Sequence, residues 1–91
     1  MSELVIPVGR KGDRLKLEDS GGVLLAVLNP GEEPSVISMA TRRAGQIVLG
    51  KASLYVGGAS FFGLTAASWA AVRAWLTEQG HESVDAAAEE A

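Results

Sequence analysis

Residues 61–76 read FFGLTAASWAAVRAWL, and the stretch changes character at Thr65. Before it, two adjacent phenylalanines and a short apolar run have the composition of a strand. After it, no Gly or Pro interrupts the chain until Gly80. Thr65 carries the short hydroxyl that caps helix N-termini, so the sequence predicts a helix over about 66–79. Trp69, Val72 and Leu76 fall on one stripe of that helix, with Trp75 flanking it and Arg73 turned away. Aromatics at core spacing bury their large area, so both tryptophans are expected to anchor the helix across one face of a sheet.

Upstream of the helix, turn signals recur at short intervals: GRKGD at 9–13, EDSGG at 18–22, NPGEEP at 29–34, TRRAG at 41–45 and the glycine pair 57–58. Short apolar runs between frequent turns describe an antiparallel meander. RLKLE alternates strictly, placing Leu15 and Leu17 on one face and Arg14, Lys16 and Glu18 on the other, as a half-buried strand requires. GVLLAVLN does not alternate and is expected to be a central strand covered on both sides. SVISMA follows Pro34; Ser35 could cap a short helix, but the β-branched Val36 and Ile37 favour a strand. QIVLGKASLYVGG reads as strand with Gly50 at a turn or bulge, and ASFFGL supplies one strand more. The expected fold class is therefore α+β: an antiparallel meander of about five or six short strands, then one C-terminal amphipathic helix.

The chain has 91 residues, of which 47% are hydrophobic, enough for one domain with a core of Val, Leu, Ile and Ala. That domain is assigned to residues 1–81. Residues 82–91, rich in Ala and Glu, form an acidic tail expected to be flexible, and residues 83–91 are expected to be dispensable for folding. Cysteine is absent, which excludes disulfides and thiolate metal sites. No apolar run approaches the ~20 residues that span a bilayer, and the N-terminus has no secretory pattern, so the cytoplasm is the expected location.

The net charge is −3, but Glu82, Asp85, Glu89 and Glu90 all lie in the tail, leaving seven acids against eight bases in the body. Those bases cluster, with Arg10, Lys11, Arg14 and Lys16 in one stretch and Arg42 and Arg43 adjacent in another. A modest basic face is consistent with this pattern, and so is the ordinary solvation of strand edges and loops.

The segments GDRLKLEDSGGVLLAVLN (12–29) and GLTAASWAAVRAWL (63–76) resemble the basic strand, Gly-containing turn, second apolar strand and closing helix of the positive-cofactor-four type of single-stranded-DNA-binding domain. The resemblance implies a curved four-stranded antiparallel sheet, a C-terminal helix, homodimerisation through the helices and a basic strand surface that holds unpaired DNA. Carried over residue by residue, it designates Arg14 and Lys16 on the basic strand, with Arg42, Arg43 and Lys51 nearby. The family's sheets carry more aromatics than this chain, where Tyr55, Phe61 and Phe62 are the stacking candidates, Tyr55 and Phe61 first among them. Weak binding of single strands is expected on that account.

Catalysis finds little support. His81, the single histidine, sits just past the helix, where a His commonly serves as a dipole or cap partner, and no catalytic partner is visible beside it. Glu32 and Glu33 lie in a Pro/Gly turn, no zinc spacing exists and GRKG lacks the features of a phosphate loop. The expectation is thus a non-catalytic module without cofactor, metal or small-molecule substrate. It either binds single-stranded DNA weakly or serves as a structural or interaction subunit of a larger assembly. In both cases a homo-oligomer, a dimer first of all, is expected, because one helix covers one sheet face and the second face needs a partner.

Overall fold

A computed structural model describes residues 2–9, 11–32, 37–41, 47–81 and 84–85. The chain runs β1 (Ser2–Val8), β2 (Asp13–Ser20), β3 (Val23–Leu28), β4 (Ile37–Thr41), β5 (Ile47–Leu49), β6 (Ser53–Val56), β7 (Ala59–Phe62), α1 (Ala66–Glu78) and β8 (Val84–Asp85). The α+β class, the antiparallel meander and the single C-terminal helix are as the sequence implies. The strands, however, divide into two sheets, ordered β1-β2-β3-β4 and β7-β6-β5-β8. The last of these, β8, is two residues of the expected tail lying parallel to β5.

Register explains which side chains go inward. In the first sheet Leu4 pairs with Leu17 and Ile6 with Leu15, and these continue to Ala26 and Leu28 on β3. Leu15, Leu17, Leu24 and Ala26 are wholly buried. Ile47, Leu49, Leu54, Val56 and Phe61 of the second sheet join them in a single cluster. The two sheets thus enclose one core, stitched where the Ser38 hydroxyl donates to the Val56 carbonyl oxygen and accepts from the Gly58 N–H at 3.2 Å.

The strand β3 departs from its expected double coverage. Its alternate residues Leu24 and Ala26 are buried, but Val23 is exposed and Leu25 and Val27 are only half-buried. Covering the inner face is the second sheet, and among the described residues nothing covers the outer one. SVISMA yields strand from Ile37 onward; Ser35 and Val36 lie outside the described residues.

The helix begins as Thr65 dictates, with Ser68 N–H donating to the Thr65 hydroxyl oxygen at 3.1 Å. It ends at Gly80 with the paired bonds of a Schellman motif, Gly80 N–H to the Thr77 carbonyl and His81 N–H to the Leu76 carbonyl, each 3.0 Å. Its buried stripe is Ser68, Val72, Trp75 and Leu76, so Trp75 belongs to the stripe and Trp69 flanks it, the reverse of the expected phase. Rather than lying across one sheet face, α1 bridges the two sheets. Trp75 Nε1 donates to the Ser2 hydroxyl of β1 at 3.0 Å, and Trp69 Nε1 donates to the Gly50 carbonyl of the β5–β6 turn at 2.6 Å. Arg73 lies over the Trp69 ring, 5.4 Å from its centroid.

Candidate interaction surfaces

The outer face of the first sheet is built from the residues that alternate away from the core. Glu3, Glu18, Leu25 and Met39 form one row across it, and Val5, Lys16 and Val27 form the next. The β1–β2 half is therefore charged and the β3–β4 half aliphatic. Met39 is 63% exposed, and Val5 and Val23 are exposed as well. Within the charged half Lys16 Nζ stands 3.2 Å from Glu18 and 3.9 Å from Glu3. Lys16 and Glu18 are both largely covered, which makes this pair tighter than the ordinary solvated one.

Of the residues designated from sequence, Arg14 and Lys16 do share this face, as strict alternation demands. Arg14 is exposed opposite Pro7, its backbone N–H bound to the Asn29 side-chain carbonyl at 2.9 Å. Lys16 is committed to two carboxylates. Lys51 is exposed in the β5–β6 turn, on the other sheet. Arg42 and Arg43 lie outside the described residues, so the two-cluster basic surface is not assembled from what the structure describes.

Aromatic placement differs from expectation as well. Phe61, designated for stacking, is 4% exposed and belongs to the core, because its register partner Leu54 also faces inward. Parity then turns its neighbour Phe62 outward, 70% exposed, opposite Ser53. Tyr55, 40% exposed, opposes Ser60 two pairs along, so Tyr55 and Phe62 are diagonal neighbours on the outer face of the second sheet. Arg14 and Lys16 are on the opposite wall of the molecule.

A cleft of about 260 Å³ opens where β7 meets the ends of β1, β2 and β3, lined by Val8, Gly9, Asp13, Leu28, Ser60, Phe61 and Phe62. Asp13 accepts from the Asn29 side-chain amide at 3.0 Å through one carboxylate oxygen.

His81 does have an acidic partner, which the sequence conceals. The Schellman turn folds it back under the helix end, where Nε2 donates to a carboxylate oxygen of Asp19 at 2.6 Å and the ring stacks on Trp75 with centroids 6.5 Å apart. Both side chains are buried, and Nδ1 has no hydrogen-bond partner. The buried pair fastens the end of α1 to β2. Among the described residues no three His, Asp or Glu side chains gather as metal ligands, and no helix is long and apolar enough to cross a membrane.

The residues that sequence reasoning passed over are Met39 and Asp19; it singles out VLLAVL and the Phe61–Phe62 pair, but without saying which of their side chains turn outward. Compared with protein-family models, curated proteins and solved structures, the chain finds no match.

Proposed function

We propose that this chain is a non-catalytic interaction subunit that pairs with a second copy of itself through the outer face of its N-terminal sheet. The observation that carries the reading is the aliphatic patch of Val23, Leu25, Val27 and Met39 on that face, with Val23 and Met39 exposed and Leu25 and Val27 only half-buried. The face is also self-complementary. A two-fold axis lying across the strands, between the row of Lys16 and Val27 and the row of Glu18 and Leu25, sets each Lys16 over the partner's Glu18 and each Val27 over the partner's Leu25. Charge meets opposite charge and aliphatic meets aliphatic, as in aligned sheet packing.

This arrangement predicts a charge-swap result. Lys16→Glu places three carboxylates together in each copy and like charges across the axis, and is expected to weaken the dimer about tenfold or more. The double variant Lys16→Glu/Glu18→Lys restores complementarity and is expected to recover most of the affinity, read by sedimentation equilibrium. Equal dimerisation by all three proteins would rule out this register.

A nucleic-acid reading draws on one specific feature, the exposed Tyr55 and Phe62 on neighbouring strands of the sheet whose β5–β6 turn carries Lys51. Two stacking rings and one cation support weak, nearly salt-independent binding of single strands, with a log–log salt slope of about 0.7 for one phosphate contact. Titration of a labelled oligothymidine at two salt concentrations separates this from a true basic groove, whose slope would be several-fold larger.

A further inference from the structure

The cleft beside β7 has a feature that sets it apart from a chance surface hollow: three consecutive residues, Ser60, Phe61 and Phe62, line it. Consecutive side chains on a strand point to opposite faces, so a wall made of three in a row is a wall of main chain. Among the described residues β7 is an edge strand, paired only with β6. The two-residue Gly57–Gly58 turn, with Gly57 at φ +56°, closes the β6–β7 hairpin on Val56 and Ala59. A two-residue hairpin closes on a hydrogen-bonded pair. Counting from it, Ala59 and Phe61 direct their backbone groups to β6, while Ser60 and Phe62 direct theirs to the open edge. The far wall is Val8, Gly9 and Leu28, with the Asp13 carboxylate beside them. At its end the groove is shut by Gly9, whose N–H donates to the Gly63 carbonyl at 3.2 Å.

We infer that this groove is a peptide-binding site in which an extended segment adds to the free edge of β7 as a further strand. Main-chain bonds to Ser60 and Phe62 hold the segment, an apolar side chain enters between Val8, Leu28 and Phe61, and a lysine or arginine two positions along meets Asp13. Asp13 chooses the occupant: one of its oxygens is bound to Asn29, and its negative charge selects a basic segment over an acidic one. The 70% exposure of Phe62 at the rim provides the apolar surface that such a strand would cover. The site lies where β7 meets the ends of β1, β2 and β3, away from the outer face proposed for the dimer, and does not depend on it.

The test uses a pentapeptide of alternating lysine and valine, blocked at both ends, titrated into isotope-labelled full-length protein and followed by amide NMR. Shifts centred on Ser60 and Phe62, with slowed exchange of those two amides, are expected. The glutamate–valine peptide of the same length should bind about fivefold more weakly or not at all, and Asp13→Asn should remove that preference. Lys16→Glu should leave peptide binding unchanged even where it dissociates the dimer. Absence of shifts at millimolar peptide, equal response to the acidic peptide, or shifts centred on Leu25 and Met39 would overturn the assignment.

Discussion

Trp75→Ala is expected to cost about 3–5 kcal/mol of folding free energy, the usual penalty for deleting a buried tryptophan. The ring is 7% exposed, anchors α1 to β1 through Ser2, and provides the surface on which His81 stacks beside Asp19. Deleting it opens a cavity at the one place where the helix, the first strand and the Asp19–His81 fastening converge. A chain of this length has a total stability on the order of 5–13 kcal/mol, so the variant should lose about a quarter or more of it and melt about 15–30 °C lower. Trp75→Phe keeps the packing and loses the indole N–H, and should cost about 1–2 kcal/mol. Thermal unfolding followed by circular dichroism reads both; equal and small shifts in the two would mean that the helix is not anchored there.

Gly63→Ala is expected to be nearly as damaging, for a backbone reason. Gly63 sits at φ +82°, where an L side chain costs roughly 1–2 kcal/mol, and an added Cβ would stand 2.6 Å from the Gly9 nitrogen and 2.7 Å from its Cα. Those are main-chain atoms of another element, unable to rotate aside. Relief requires the Gly9–Gly63 hydrogen bond to open, so the total loss should exceed about 2 kcal/mol. Gly12→Ala is the control: φ is similar, at +79°, but nothing lies within 4 Å of the new atom, so only the conformational cost should appear. Comparable denaturant midpoints for the two variants would show that β1 and β7 do not meet as described.

What the sequence made legible follows physical signals that are local. Thr65 and the glycines at 57–58 and 80 punctuate the chain, and RLKLE declares its own faces by alternation. Where adjacent residues are equally apolar, the local signal vanishes: nothing in FF says which phenylalanine turns inward, and nothing in VLLAVL distinguishes the buried Leu24 and Ala26 from the outward Val23 and Leu25. Parity was supplied by register with Leu54 in the first case and with β2 in the second. The helix phase was misread because Ser68, a polar residue, takes a buried position; its backbone N–H and its hydroxyl are both satisfied by Thr65 at 3.1 and 3.0 Å. Division into two sheets and the meeting of Asp19 with His81, 62 residues apart, are tertiary facts with no local trace. Two of the designated bases, Arg14 and Lys16, do share a surface, but the carboxylates of Glu3 and Glu18 hold the charge of Lys16, and the aliphatic rows beside it give that surface its character.

The central claim, self-pairing through the outer face of the first sheet, is tested most directly by the solution mass of the unmodified chain and of Leu25→Lys. Leu25 lies mid-row on that face and only half-buried, so lysine there should leave the fold intact, checked by an unchanged circular dichroism spectrum, while placing two cations beside the proposed axis. At about 100 µM, well above the micromolar dissociation constants typical of small interfaces, sedimentation should return twice the chain mass of 9.4 kDa for the parent and the single chain mass for the variant. A parent that sediments as a monomer at that concentration, or a folded Leu25→Lys that remains a dimer, would contradict the account.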